Sequence, residues 1–303
     1  MDFYLITGFL GAGKTTFLKN FMQLFSNQKV FLLVNEFGKE GIDGDLVKEL
    51  DAHLAEVSNG SIFCACKINK FEEELDRLTT LNPDVVIVEA SGLSDPTNIR
   101  KILDKPEYQN ICYKGSVCLV DGARFHKVVS TARVVPKQIR ISSLMLLNKC
   151  DLIDEETMQS VEEQILELNP VATIKPTTYG KIEEEWLAYL KSDMEIEEDL
   201  ITRDITLQKA TIVLQEDADY ESVKGLLNLI AEGTYRIKGF VKIKDEIYLS
   251  NCVGGYVTLD VYTGEYSSLQ KLVALAGAGM SLRKILKEAK GIYSGIIEEI
   301  IYG

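Results

Sequence analysis

Short apolar runs alternate with amphipathic stretches over residues 1–192 of the chain. The runs are rich in Val, Ile, Leu and Phe, while the stretches between them repeat apolar residues every three or four positions. This alternation predicts strands joined by crossover helices, and therefore an α/β fold with a mostly parallel sheet flanked by helices. The predicted strands are FYLIT, VFLLVNEF, VVIVEA, SVCLVDG, LMLLNK and ATIKPT, and the predicted helices are 14–25, 67–80, 155–168 and 181–191.

The pattern changes after an acidic stretch, SDMEIEEDL, at residues 192–200. A strand-like run, TLQKATIVL, and a helix-like stretch at 219–232 follow, and then several strands separated by turn signals at VGG and YTG. We therefore expect two domains, 1–192 and a smaller α+β domain over 201–303. The register around LAEVSNGSIF, residues 54–63, stays open because an Asn-Gly turn signal interrupts its strand propensity.

Composition narrows the function classes. The chain has 303 residues, 46% of them hydrophobic, which is enough for more than one core. Its net charge of −13 argues against nucleic acid as the main partner, because such proteins normally carry a basic face. The sequence shows neither a leader pattern nor eighteen consecutive apolar residues, so we expect a cytoplasmic protein without a membrane partner. The six cysteines are scattered, which favours reduced thiols, and only Cys64 and Cys66 stand close together.

The stretch GFLGAGKT follows the first predicted strand and precedes a predicted helix. It fits G-x-x-x-x-G-K-[ST] with Gly8, Gly13, Lys14 and Thr15. Backbone N–H groups of such a loop surround phosphates, Lys14 would reach the β- and γ-phosphates, and the Thr15 hydroxyl would bind Mg²⁺. The alternative is a glycine-rich turn without a ligand.

The run LMLLNKCD places Asn148, Lys149 and Asp151 as N-K-x-D at the end of a predicted buried strand. Ligand-binding loops of open α/β sheets lie at this end of the strands. A carboxylate at Asp151 can accept two hydrogen bonds from guanine but finds no such donor pair on adenine, which favours GTP. The alternative is a strand followed by a capped helix, with Asp151 or Asp154 as the cap.

Between these motifs lies VVIVEASGLSDP. Glu89 ends its apolar run, where a carboxylate can hold a Mg²⁺-bound water. The Gly92 N–H could contact the γ-phosphate, so that the following residues would respond to its loss. The alternative is a strand that ends in a solvated glutamate.

Two further segments offer metal ligands. Glu36 and Asp43 lie in VNEFGKEGIDGDLV, which could bind metal or form an ordinary acidic loop. Cys64 and Cys66 have C-x-C spacing and, with a carboxylate or His53, could bind Zn²⁺. Two buried core thiols on one face of a strand would give the same spacing.

The motifs GFLGAGKTT, VNEFG, VEASGLSDP and NKCD, in this order, resemble those of the CobW-type GTPases of the CobW/HypB/UreG group. The resemblance covers most of residues 1–190 and continues more weakly at YRIKGFVKIKD. It implies a cytoplasmic P-loop GTPase that acts as a metallochaperone or cofactor-maturation factor. It also implies that Glu89 ends the second nucleotide motif and that Asn148, Lys149 and Asp151 bind guanine. The phosphate and Mg²⁺ loop would then consist of Gly8, Gly11, Ala12, Gly13, Lys14, Thr15 and Thr16.

The chain departs from the family at its G-C-x-C-C metal motif. Alignment at Gly60 leaves Cys64 as the one matching cysteine, with Cys66 as a second thiolate at a new position. Two thiolates with Glu36 would form a thiophilic site for Zn²⁺ or Co²⁺, whereas Thr15 and Glu89 would bind Mg²⁺.

We therefore expect slow hydrolysis of GTP to GDP, with Mg²⁺, coupled to maturation of a client metalloenzyme or corrinoid protein. A homodimer is left open. The alternatives are a metal-independent guanine-nucleotide switch that acts as an adaptor, and a small-molecule kinase, against which N-K-x-D argues.

Overall fold

The computed structural model describes residues 1–34, 53–56, 68–194 and 208–303, except 254, 265, 267, 278 and 279, with 53–56, 68–70 and 79 described by their backbone. The chain divides into two compact units, 1–203 and 204–303. The predicted domain boundary falls largely on residues 195–207, outside the described ranges, so its exact position stays a prediction. No helix within the described ranges is long and apolar enough to cross a membrane.

The N-terminal unit is built on a parallel sheet that has seven strands in the described part of the chain, in the order β3-β2-β4-β1-β5-β6-β7. The strands are β1 Asp2–Gly8, β2 Val30–Val34, β3 His53–Glu56, β4 Val85–Glu89, β5 Cys112–Asp121, β6 Leu144–Asn148 and β7 Thr173–Pro176. The α-helices are α1 Lys14–Gln23, α2 Ile68–Leu81, α3 Ile99–Leu103, α4 Phe125–Thr131, α5 Val134–Arg140 and α6 Glu155–Leu168. Short 3₁₀ helices span Pro106–Tyr108, Cys150–Leu152 and Glu184–Tyr189.

Strand β1 lies near the middle of the sheet and is buried on both faces. Phe3 and Leu5 belong to one apolar core, whereas Tyr4 and Ile6 belong to the core on the other face. This alternation follows from the two-residue period of a strand, and burial on both faces explains why the run is almost wholly apolar. The sheet thus confirms the predicted α/β fold.

The register brings the carboxyl ends of four strands to one edge. Ile6 pairs with Glu89 of β4, Gly8 pairs with Leu119 of β5, and Asp121 pairs with Asn148 of β6. Loops that follow these strands therefore start close together, as expected for the ligand edge of an open parallel sheet.

The predicted helix at 181–191 is wrong. A 3₁₀ helix spans Glu184–Tyr189 instead, and Leu190 is extended. Ile182, Trp186, Leu187 and Leu190 pack against the apolar core that contains α1. These tertiary contacts determine the conformation in place of local helix propensity.

The C-terminal unit contains an antiparallel sheet in the order β11-β10-β9-β12-β8-β13 and two helices within its described residues. The predicted strand-like run TLQKATIVL forms strand β8, Gln208–Leu214, along which buried positions alternate with more exposed ones. Asp219 caps the first helix by accepting from the Ser222 N–H at 3.0 Å. The predicted α+β domain is confirmed. Its elements are β8 Gln208–Leu214, α7 Tyr220–Ala231, β9 Arg236–Ile243, β10 Glu246–Val253, β11 Leu259–Val261, β12 Lys271–Ala276, α8 Leu282–Ile292 and β13 Ile297–Tyr302.

Candidate functional site

The glycine-rich loop connects the end of β1 to the start of α1. Gly8, Gly11 and Gly13 all have positive φ values, of 133°, 77° and 100°. At Gly13 a Cβ atom would lie 2.4 Å from Nδ2 of Asn148, so both the backbone conformation and the space require glycine. The loop therefore turns sharply and presents the amino end of α1, where backbone N–H groups are available to an anion.

Lys14 is the first residue of α1, and its side chain lies back inside the loop. The ammonium group donates to the carbonyl oxygens of Gly8 at 2.8 Å and Phe9 at 3.1 Å, and the residue is only 8% exposed. Thr15 and Thr16 are exposed on the first turn of the helix. The loop region thus combines one buried cation with two accessible hydroxyl groups. In loops of this kind the lysine contacts phosphate and a hydroxyl group binds Mg²⁺.

Glu89 and Gly92 approach the same loop from β4. Glu89 is buried at the end of β4, on the strand adjacent to β1. A Cβ atom at Gly92 would lie 2.6 Å from the backbone nitrogen of Leu10, so the residues after β4 lie directly against the phosphate loop. The structure thus places Gly92 against the glycine-rich loop and Glu89 beside Ile6, two residues before that loop. Their roles toward Mg²⁺ and the γ-phosphate stay predictions.

Asn148 connects the loop after β6 to the phosphate loop. Its Nδ2 donates to the Ala12 carbonyl oxygen at 2.8 Å, and its Oδ1 accepts from the Gly180 N–H at 3.0 Å. The residue is 2% exposed. One buried amide therefore fixes three loops relative to one another.

Asp151 lies in the 3₁₀ helix Cys150–Leu152 and is exposed. The N-cap of α6 is Asp154, whose Oδ1 accepts from the Thr157 N–H at 2.8 Å. Hydrogen bonding from the Thr157 side chain, and then from its N–H, lowers the pKa of Asp154. Because a different aspartate caps the helix, the Asp151 carboxylate is accessible to a ligand.

Asp121 is a site residue that the motifs did not reveal. The Lys149 ammonium donates to Oδ2 of Asp121 at 2.6 Å, and Lys149 has a left-handed backbone with φ 64°. Oδ1 of Asp121 is buried and accepts no hydrogen bond among the described residues. The carboxylate therefore anchors the lysine of N-K-x-D. The Asp-Gly signal at the end of SVCLVDG marks the position, but its partner depends on which strands are neighbours.

The predicted thiophilic ligands Glu36, Cys64 and Cys66 lie outside the described residues, as does Asp43. Within the described ranges there is no group of three or more His, Cys, Asp or Glu side chains that could hold a metal ion. Cys118, on β5 beside β1, is fully buried, and this burial raises its pKa to about 12, so its thiol is neutral at physiological pH. The proposed thiophilic site therefore stays a prediction.

A parallel sheet, a glycine-rich loop before α1 and an N-K-x-D loop tied to it by Asn148 define a P-loop nucleotide-binding domain. Comparison with known families agrees with this class: residues 2–176 match the family described as "CobW/HypB/UreG, nucleotide-binding domain". The match covers more than half of the chain, and the chain belongs to this family. The resemblance inferred from the motifs is confirmed.

Individual relatives match over about half of their length. The zinc chaperone CobW of Sinorhizobium sp is 32% identical over 191 residues, covering 53% of this chain and 54% of that protein. The zinc chaperone YjiA of Escherichia coli (strain K12) is 28% identical over 187 residues, covering 59% of this chain and 58% of that protein. A crystal structure of the Zn(II)-bound YjiA GTPase from E. coli aligns with a TM-score of 0.49 and 19% identity, over 97% of this chain and 98% of that one.

Proposed function

We propose that this protein binds GTP with Mg²⁺, hydrolyses it slowly to GDP and phosphate, and couples this cycle to delivery of a thiophilic divalent ion to a client enzyme. The observation that carries the proposal is the position of Asn148. It bonds to the phosphate loop at Ala12 and stands three residues before Asp151, so phosphate and base sites belong to one connected structure.

The base is proposed to be guanine because the Asp151 carboxylate can accept from two guanine donors. Lys149 stands beside it, and the ion pair with Asp121 restricts the lysine side chain. Restricting these groups before binding reduces the entropy that binding must remove.

Hydrolysis would proceed by attack of water on the γ-phosphorus. A bond forms from the water oxygen to the γ-phosphorus, the bond to the β,γ-bridging oxygen breaks, and GDP leaves with the electron pair, while a proton of the attacking water passes to a phosphate oxygen. Thr15 and Glu89 would hold Mg²⁺, which would stabilise charge on the phosphates. Lys14 is placed to contribute positive charge once its ammonium group exchanges the Gly8 and Phe9 carbonyl oxygens for phosphate oxygens. The motifs contain no evident arginine finger or water-orienting glutamine, from which we expect slow turnover and activation by a partner.

Two observations support the proposed thiophilic divalent ion as the delivered metal. Curated relatives are named zinc chaperones, and Cys64 and Cys66 offer two thiolates, with Glu36 as an oxygen ligand. Zn²⁺ is the expected ion, with Co²⁺ as a second choice, and the client would be a metalloenzyme or corrinoid protein. A metal-independent switch is the second candidate, because the chain has Ser61 in place of the first cysteine of the family motif.

Calorimetric titration with Zn²⁺ tests the proposal, with the protein in GDP and then in a non-hydrolysable GTP analogue. We expect the Zn²⁺ affinity to differ about 5- to 150-fold between the two states, and by linkage Zn²⁺ should change GTP affinity by the same factor. The variant Cys64→Ser/Cys66→Ser should lose Zn²⁺ binding, while Cys112→Ser, which removes an exposed thiol elsewhere, should retain it. A protein that binds GTP but not Zn²⁺ would contradict metal delivery and favour the second candidate, a metal-independent switch.

A further inference from the structure

The residues after β4 contact helix α5 as well as the phosphate loop. We call residues 91–97 the sensor segment, because they contain Gly92. The Gln138 side chain of α5 is buried, with 1% exposure, and its Nε2 donates to the carbonyl oxygens of Ser94 at 3.2 Å and Gly92 at 3.4 Å. Gly92 is the residue whose N–H is predicted to contact the γ-phosphate. Its carbonyl oxygen is thus bonded to a glutamine on a helix 46 positions further along the chain.

A second contact joins the same helix and segment. The ammonium group of Lys137 pairs with Oδ2 of Asp95 at 2.5 Å, with side-chain exposures of 7% and 21%. The other oxygen of Asp95 accepts from the N–H of Thr97 at 3.1 Å and from its hydroxyl group at 2.7 Å. Asp95 therefore fixes the turn of the sensor segment and ties it to α5 at the same time.

Gly92 lies between these contacts and the phosphate loop. On one side its α-carbon faces the Leu10 backbone so closely that a Cβ atom would clash, and on the other its carbonyl oxygen meets Gln138. Glycine has the widest backbone freedom of any residue, so its N–H direction must be fixed by neighbours. The Gly92 N–H shares its peptide unit with the Ser91 carbonyl oxygen, which accepts from the Ser94 N–H at 2.9 Å. Gln138 in turn holds the carbonyl groups of Gly92 and Ser94, and so fixes the turn that carries this N–H.

We propose that Gln138 and Lys137 are positioning residues for the γ-phosphate: they orient the Gly92 N–H before GTP binds, and helix α5 thereby responds to the nucleotide state. The proposal rests on the proposed function, because it requires GTP as the ligand. GDP lacks the γ-phosphate and uses only the glycine-rich loop and the base loop. Loss of the α5 contacts should therefore weaken GTP binding selectively, since ordering of Gly92 would then have to accompany binding.

The test compares affinities for GDP and for a non-hydrolysable GTP analogue in Gln138→Met. Methionine has about the same side-chain volume as glutamine, so the change does not open a cavity. It removes both N–H donors of the side chain. We expect the GTP analogue to bind about 3- to 10-fold more weakly, the equivalent of one lost hydrogen bond, with GDP affinity unchanged. The single-turnover hydrolysis rate should fall as well. A control, Gln164→Ala, removes a glutamine that bonds to Nδ1 of His126 on the outside of the unit and should change neither affinity.

A second variant tests the ion pair without leaving a buried charge alone. Lys137→Met/Asp95→Asn removes both charges together, and we expect the same selective loss of GTP affinity. Hydrogen–deuterium exchange in the sensor segment should then be faster in both nucleotide states. Equal losses of affinity for GTP and GDP would contradict the proposal and show that α5 serves stability alone. Unchanged affinities in both variants would also overturn the proposal, while leaving GTP binding intact. A wild-type protein that binds no guanine nucleotide would overturn both the proposed function and this inference.

Discussion

Replacement of Asn148 by alanine should damage nucleotide binding more than its effect on stability explains. The side chain bonds to Ala12 of the phosphate loop and to Gly180 of the loop after β7. The Gly180 loop is in turn bonded to α1, because Nδ2 of Asn20 donates to the carbonyl oxygens of Gly180 at 2.9 Å and Tyr179 at 3.0 Å. Asn148→Ala thus releases the phosphate loop from one side.

The cost follows from the two hydrogen bonds. Loss of the bond to Ala12 removes about 1 kcal/mol of net stabilisation, and the buried Gly180 N–H left without a partner adds about 1 to 3 kcal/mol. We expect the free energy of unfolding to fall by about 2 to 4 kcal/mol, measured by urea denaturation.

A matched variant separates stability from binding. Asn169 is also buried, and its Nδ2 donates to the carbonyl oxygens of Ile139 and Ser142, both at 2.8 Å, away from the phosphate loop. Asn169→Ala should lower stability by a similar amount and leave GDP affinity unchanged in calorimetry, whereas Asn148→Ala should weaken GDP binding about 10-fold or more. Equal GDP affinities in the two variants would refute the role assigned to Asn148.

Three other predictions concern single side chains. Asp151→Asn should weaken GTP binding and improve binding of xanthine nucleotides, measured by competition; an unchanged preference would remove Asp151 from the base site. Lys14→Ala should lower GTP hydrolysis about 100-fold or more while circular dichroism stays unchanged, and retained turnover would place the chemistry elsewhere. Because burial raises the pKa of Cys118 to about 12, alkylation at pH 8 followed by peptide mass spectrometry should modify exposed Cys112 and spare Cys118; the reverse order would contradict the described burial.

The sequence predicts the positions of the motifs well because each follows an apolar run. Gly8, Glu89 and Asn148 all lie at strand ends, and parallel strands bring their carboxyl ends to one edge. The α/β fold and the α+β character of the C-terminal unit follow from the same periodicities. Predicted helix 155–168 matches α6 at both ends because Asp154 supplies a local cap.

The contacts that connect the motifs could not be predicted from local patterns. Lys149 and Asp121 are 28 positions apart, and Gln138 and Gly92 are 46 apart. Each contact depends on the strand order and on how a helix packs on the sheet, which one sequence does not specify. Short helices such as α5, with seven residues, give too few turns for a periodic signal.

Calorimetric titration of the protein with GTP and with ATP, each with Mg²⁺, tests the central claim most directly. The account predicts tighter binding of GTP by about 30- to 160-fold, because adenine cannot satisfy the Asp151 carboxylate and about 2 to 3 kcal/mol is lost. Equal affinity for the two nucleotides would contradict the guanine site and the function built on it.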